Sequence, residues 1–186
     1  MGKTLTAIDD ALAAFIAAQR MFFVATAPSG DGGHVNCSPK GGALHVLSPN
    51  EVAYVDRVGS GAETIAHLRQ NGRIVVMLCA FEGPPRIVRL HGRGEVIADA
   101  SPEFAPLLAR FAEPPLGARS IVRVAVTRIA NSCGFGVPLY RHDGDRDTMG
   151  EWCKKKGEDG IRAYIQEKNA TSIDGLPALP LSLRPE

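Results

Sequence analysis

Between two β-like runs lies Asp56-Arg57-Val58-Gly59-Ser60-Gly61-Ala62-Glu63-Thr64, and its residue types are those of an anion grip. Val52 to Val55 reads as a buried strand before it, while Ile65, Ala66 and Leu68 suit a short amphipathic helix ending near Asn71-Gly72. Ser60 and Glu63 stand at capping-box spacing, which puts the expected helix start at about Ser60. The first N–H groups of a helix lack an intrahelical partner, and with the positive end of its dipole they favour a phosphate by roughly 0.3 to 2 kcal/mol. Arg57 and the Thr64 hydroxyl would add donors to that of Ser60. The same glycines also suit an ordinary tight turn into a capped helix, so the segment alone leaves both uses open.

A second polar set is His34-Val35-Asn36-Cys37-Ser38-Pro39-Lys40. Strand alternation puts His34, Asn36 and Ser38 on one face and Val35 and Cys37 on the other. That face could hydrogen-bond the edge of a planar heteroaromatic ligand, with Lys40 supplying charge to a phosphate or a ring carbonyl; it also suits a half-solvated hairpin. His34, His45, His67, His91 and His142 have no ligand spacing, so no metal site is expected. Cys37, Cys79, Cys133 and Cys153 form no paired motif, which favours buried thiols in a reducing cytosol. Cys133, between Ser132 and Gly134, has no base predictable beside it and reads as structural. Arg86, Arg89 and Arg93 are spaced for different faces and read as solvated or subunit-bridging charges. The chain has no P-loop, nucleophile elbow or dinucleotide glycine pattern, and no side chain stands out as a catalytic acid, base or nucleophile.

The elements that must position these groups are mostly strands. Leu5, Ile8, Leu12, Phe15 and Ile16 predict an amphipathic helix over 6 to 18. Met21 to Ala27 and His34 to Ser38 flank a Gly-rich turn as one hairpin, and Ala43 to Leu47 with Glu51 to Val55 make a second. Ile74 to Phe81, Arg86 to about Ile97 and Ile121 to Ile129 complete the strands, with a helix from about Pro102 to Phe111 and then a Pro-rich loop. Short strands without regular βαβ alternation suggest a closed antiparallel barrel. From Thr148 the chain turns polar and helix-prone. With 21 Lys and Arg against 20 Asp and Glu in 186 residues, no large field steers the chain to nucleic acid or an anionic membrane. No apolar run spans a bilayer and no cleavable leader is evident, so a cytoplasmic location is expected.

Together these segments resemble the pyridoxamine 5′-phosphate oxidase-like family of flavin-binding split barrels. The carriers are the two early strands, Tyr54-Val55-Asp56-Arg57 with the glycine turn, Glu63 to Arg73, Cys79 to Gly92, and Ser172-Ile173-Asp174-Gly175-Leu176-Pro177. The resemblance implies a mainly β (α+β) fold: a six-stranded Greek-key split barrel over residues 1–145 and a helical extension over 146–186, packed on the barrel or on a partner subunit. It further implies a homodimer binding FMN at its interface and moving hydride or electrons to or from a small organic substrate, with deazaflavin or heme as the alternative ligand, or a non-catalytic carrier. By position, Asn36, Ser38 and Lys40 would meet the ring or ribityl chain, and Arg57, Ser60 and Thr64 the phosphate. Glu63 puts an anion where the oxidase proper has a cation, and its vitamin-substrate site is not recognisable here.

Overall fold

The computed structural model describes residues 3–111 and 115–179. In chain order the elements are β1 (Lys3–Leu5), α1 (Asp10–Ala18), β2 (Met21–Thr26), β3 (Asn36–Gly41), β4 (His45–Ser48), β5 (Glu51–Arg57), α2 (Glu63–Asn71), β6 (Arg73–Cys79), β7 (Ile87–Ala98), α3 (Phe104–Leu108), β8 (Ala118–Ser132) and α4 (Thr148–Lys168). The class is the expected one: a mainly antiparallel β fold with short helices and a C-terminal helix. Among the described residues eight strands form one sheet in the order β3-β2-β6-β7-β8-β5-β4, with β1 added alongside β8. β3 and β4 end this path and are not paired with each other. The wall is therefore split at one seam, not closed by hydrogen bonds all the way round.

Alternation decides what faces inward. Along β2, Phe22, Val24 and Thr26 are buried, and the β3 register sets Lys40, Ser38 and Asn36 opposite them. Directly opposed residues of an antiparallel pair project to the same side. The polar row of β3 thus turns to the interior, where Val52, Tyr54, Val122, Val124, Leu78 and Leu90 fill the main core. α1 begins later than its apolar spacing suggested, because the Asp9 carboxylate accepts from Leu12 N at 2.8 Å and caps the helix there. Leu5, which shares the helical spacing but stands before the expected helix of 6 to 18, lies in β1.

The C-terminal segment packs on α2 and not on the sheet core. Cys153 and Ile165 of α4, together with Ala178 and Leu179, bury against Val58, Ala62, Ile65 and Ala66. α4 breaks at Gly157, whose φ of 66° lies in the left-handed region. The Pro-rich loop expected after Phe111 falls mainly on residues 112–114, outside the described set. No helix among the described residues is long and apolar enough to cross a membrane.

β7 pairs with β8 over its whole length with one register shift, between His91 and Gly92. A Cβ on Gly92 would lie 2.2 Å from the Ala125 carbonyl oxygen, which belongs to backbone and cannot swing away. Gly92→Ala is therefore expected to lower stability by about 1–3 kcal/mol, as overpacking does. Urea denaturation followed by circular dichroism checks this, and an unchanged midpoint would contradict the close approach.

Candidate functional site

The seam side of β3 and the start of α2 enclose an open groove of about 370 Å³, lined by His34, Val35, Asn36, Cys37, Ser60, Gly61, Glu63 and Ile173. The two segments singled out by their residue types therefore meet in space. Asn36 Nδ2 donates to Thr64 Oγ1 at 3.0 Å, which ties β3 to the first turn of α2. The same amide reaches Thr26 Oγ1 at 3.4 Å, and Thr26 Oγ1 lies 3.0 Å from His67 Nδ1. Thr26, Thr64 and His67 are buried, so this is a polar floor under the groove. Burial pushes the His67 pKa below its ordinary value, which keeps the ring neutral despite the carboxylates of Asp174 and Glu63. Among the described residues its Nε2 has no partner, and neither has the buried Ser38 Oγ. Buried polar atoms normally find a partner, water or ligand included, and Ser38 shares its β3 face with Asn36, which lines the groove.

Lys40 is placed otherwise than its residue type suggested. Its Nζ donates to Asp56 Oδ1 at 3.0 Å, and Arg119 Nε donates to Asp56 Oδ2 at 2.8 Å. Asp56 is 1% exposed, Arg119 5% and Lys40 22% in their side chains. Burial by itself would raise the Asp56 pKa, but Arg119 and then Lys40 outweigh it and hold the carboxyl below the ordinary value. Lys40 is thus a partner in a buried ion cluster and not a free cation for a ring or a phosphate. Tyr54 OH and Arg119 Nη1 are buried in the same part of the core without partners among the described residues.

The phosphate end also differs from expectation. α2 starts at Glu63 with Ala62 at the cap position and no side-chain cap, so the Ser60/Glu63 capping box does not form. Glu63 instead folds back over the glycine turn: a Cβ on Gly61 would lie 2.3 Å from its Oε2. Its Oε1 accepts from Ile173 N at 3.3 Å. Arg57 Nε donates to the Leu116 carbonyl at 3.1 Å, away from the groove lining. Of the expected phosphate donors, Ser60 lines the groove, Thr64 is engaged by Asn36, and Arg57 is engaged elsewhere. Arg86, Arg89 and Arg93 bond separately to Asn131, Ser132 and the Asn71 carbonyl, so they form no joint clamp.

Residue types alone did not expose the contribution of the tail. Asn169 Nδ2 donates to the Gly59 carbonyl at 2.8 Å, and Arg69 Nη1 donates to the Ala178 carbonyl. Asp174 accepts from His34 N at 2.8 Å and contacts its Nδ1 at 2.6 Å. These hydrogen bonds, the backbone one first, hold the Asp174 carboxyl below its ordinary value. The sequence sign of this was the segment Ser172 to Pro177, singled out as a carrier of the resemblance but given no contact. Among the described residues, no group of three His, Cys, Asp or Glu could hold a metal ion.

The family model described as pyridoxamine 5′-phosphate oxidase matches residues 8–133. The pyridoxamine 5′-phosphate oxidase family protein ustO of Aspergillus flavus is 39% identical over 95% of this chain and 78% of its own length. Among solved structures, HupZ of Group A Streptococcus superposes with a TM-score of 0.55 at 20% identity, covering 68% of this chain and 94% of that one. The conserved hypothetical protein Rv2991 of Mycobacterium tuberculosis gives 0.50 at 18%, covering 75% and 94%. At these identities the two structures speak to the fold alone.

Removing the Asp56 carboxylate would leave two buried cations unpaired, so Asp56→Asn is expected to cost about 3 kcal/mol near neutral pH. Because the folded-state pKa is depressed, this stabilisation is complete above the ordinary value of 3.8 and is lost as pH falls through the lowered folded value. Denaturant unfolding of both proteins across pH should therefore show the gap closing only in strong acid. A gap that closes near pH 6 instead, about two units above the carboxylate range, would assign the linkage to another group.

Proposed function

The chain belongs to the pyridoxamine 5′-phosphate oxidase family, and from that membership we propose that it is a flavin-dependent oxidoreductase. The observation that carries the reading is the buried Ser38 hydroxyl, without a partner among the described residues, on a polar β3 face beside an open groove. This orphan, with the Asn36 amide two residues away, fits the polar edge of a flavin ring. Asn36 and Ser38 would hold that edge, and Ser60 with the first N–H groups of α2 would hold the phosphate of FMN. A bound flavin supplies hydride or single-electron chemistry. The protein's part is to bind and orient. The Asn36–Thr64 bond keeps β3 and α2 at fixed spacing, and the Lys40–Asp56–Arg119 cluster anchors the far end of the β3 face.

The proposal includes a second copy of the chain. Val35 and Ile173 line the groove yet stand 75% and 69% exposed. Large apolar side chains at the rim of a polar site are what a subunit interface covers. Light scattering of the eluted protein would give twice the chain mass if the reading is right.

The first test is the absorbance and fluorescence of the purified protein, followed by FMN titration and reduction by NAD(P)H. Bound flavin that bleaches supports the oxidoreductase. A Soret band, or a colourless protein that takes up no FMN, would overturn it in favour of heme or deazaflavin.

Glu63 supplies a sharper check, since its carboxylate stands over Gly61 where the phosphate would approach. Relief of that repulsion by Glu63→Gln is expected to tighten FMN about fivefold, near 1 kcal/mol for one partly screened charge. Riboflavin, which lacks the phosphate, should bind the two proteins alike. Equal gains for both ligands would place the phosphate away from α2.

A further inference from the structure

We propose that His34 is a proton-transfer residue of this groove, positioned by Asp174 from the C-terminal turn. The proposal deepens the oxidoreductase reading and rests on it for a reaction that needs a proton moved.

One carboxylate grips both the backbone and the ring of a single residue. Asp174 Oδ2 accepts from His34 N at 2.8 Å, and Oδ1 lies 2.6 Å from His34 Nδ1. A carboxylate only accepts, so the neutral ring carries its proton on Nδ1 and leaves the Nε2 lone pair free. No protein group among the described residues bonds to that Nε2, and the ring, 75% exposed, lines the groove beside Asn36, Cys37 and Glu63.

The backbone on both sides is built for this contact. Gly33 precedes His34 at φ +93°, and a Cβ there would stand 3.0 Å from Asp174 Oδ2 and 2.6 Å from Pro28 Cγ. Asp174 sits in a turn in which Ser172 N donates to the Leu176 carbonyl at 2.9 Å and Gly175 N to the Ser172 carbonyl at 3.0 Å. The Ser172 hydroxyl also accepts from Asp174 N and Leu176 N. An exposed ion pair would need none of this and would contribute little. A ring held at Nδ1 by a carboxylate that also grips its backbone, with its second nitrogen free, is what a proton-transfer histidine requires. The turn lies beyond the residues 8–133 that the family model matches.

The chemistry balances simply. Nε2 takes the proton from an O–H or N–H group of the molecule in the groove, whose bonding pair stays on the molecule. The imidazolium that forms has its charge beside the Asp174 carboxylate, and the exposed ring returns the proton to water. In the reverse direction Nε2 donates.

The test uses the full-length protein without flavin, so it and the oxidoreductase reading can fail separately. Long-range ¹H–¹⁵N spectra of histidine-labelled protein report the tautomer, with His34→Gln assigning the signal. Diethyl pyrocarbonate acylation followed by mass spectrometry reports the reactivity of the His34 ring. The wild type is expected as the Nδ1–H tautomer. Asp174→Asn should move the proton toward Nε2 and slow His34 acylation about tenfold, the equivalent of one charge-assisted hydrogen bond. Ser172→Ala removes the hydroxyl that accepts from Asp174 N and Leu176 N while keeping the carboxylate, and should move both readouts in the same direction as Asp174→Asn but by less. An Nε2–H tautomer in the wild type, no change in Asp174→Asn, or an equal change in Ser172→Ala would each overturn the proposal.

Discussion

The buried Asp56 carboxylate is the constraint on which the site depends. It lies on β5, accepts from Arg119 of β8 and from Lys40 of β3, and so links the two ends of a sheet whose outermost strands do not pair. Moving a carboxylate out of water is costly unless its partners are close and well aligned. Here two cations share one anion, which keeps it ionised and fixes the inward direction of Lys40. With Lys40 anchored, the alternation of β3 leaves Ser38 and Asn36 no choice but to face the interior and the groove. A hydrogen-bonded seam would have closed the barrel; a side-chain seam leaves it open beside α2.

The second constraint is the strap formed by the tail. An apolar cluster seats α4 on α2, but specificity of position comes from polar contacts at defined points: Asn169 on Gly59, Ile173 N on Glu63, and Asp174 on His34. Apolar burial is nearly indifferent to small slides, whereas a hydrogen bond weakens steeply when misaligned. The tail therefore sets the glycine turn, the Glu63 carboxylate and the His34 ring at once, and the groove has a wall that the barrel alone lacks.

Much of the site was legible because it is local. The polar alternation of β3 and the strand–glycine–helix passage at 52–71 are short-range patterns, and the fold brings them together through the Asn36–Thr64 bond. What misled were side chains with two uses. Ser60 and Glu63 have capping spacing, yet a tail N–H 110 residues away competes for Glu63. Arg57 and Lys40 look like anion donors, yet each finds an acceptor within the fold, Leu116 and Asp56. Periodicity started the first helix at residue 6 and not at Asp10, because the apolar spacing of Leu5 and Ile8 runs on past the Asp9 cap.

The sequence by itself determined the antiparallel β class, the helix positions to within a turn or so, and which two segments carry polar groups suited to a ligand. These follow from alternation, turn chemistry and capping, which act over a few residues. Only the tertiary structure decided that Lys40 is spent on Asp56, that Glu63 covers the glycine turn, and that Asp174 holds His34 across 140 residues of chain. Such pairings depend on which charges are brought together and stripped of water, and no spacing along the chain encodes that.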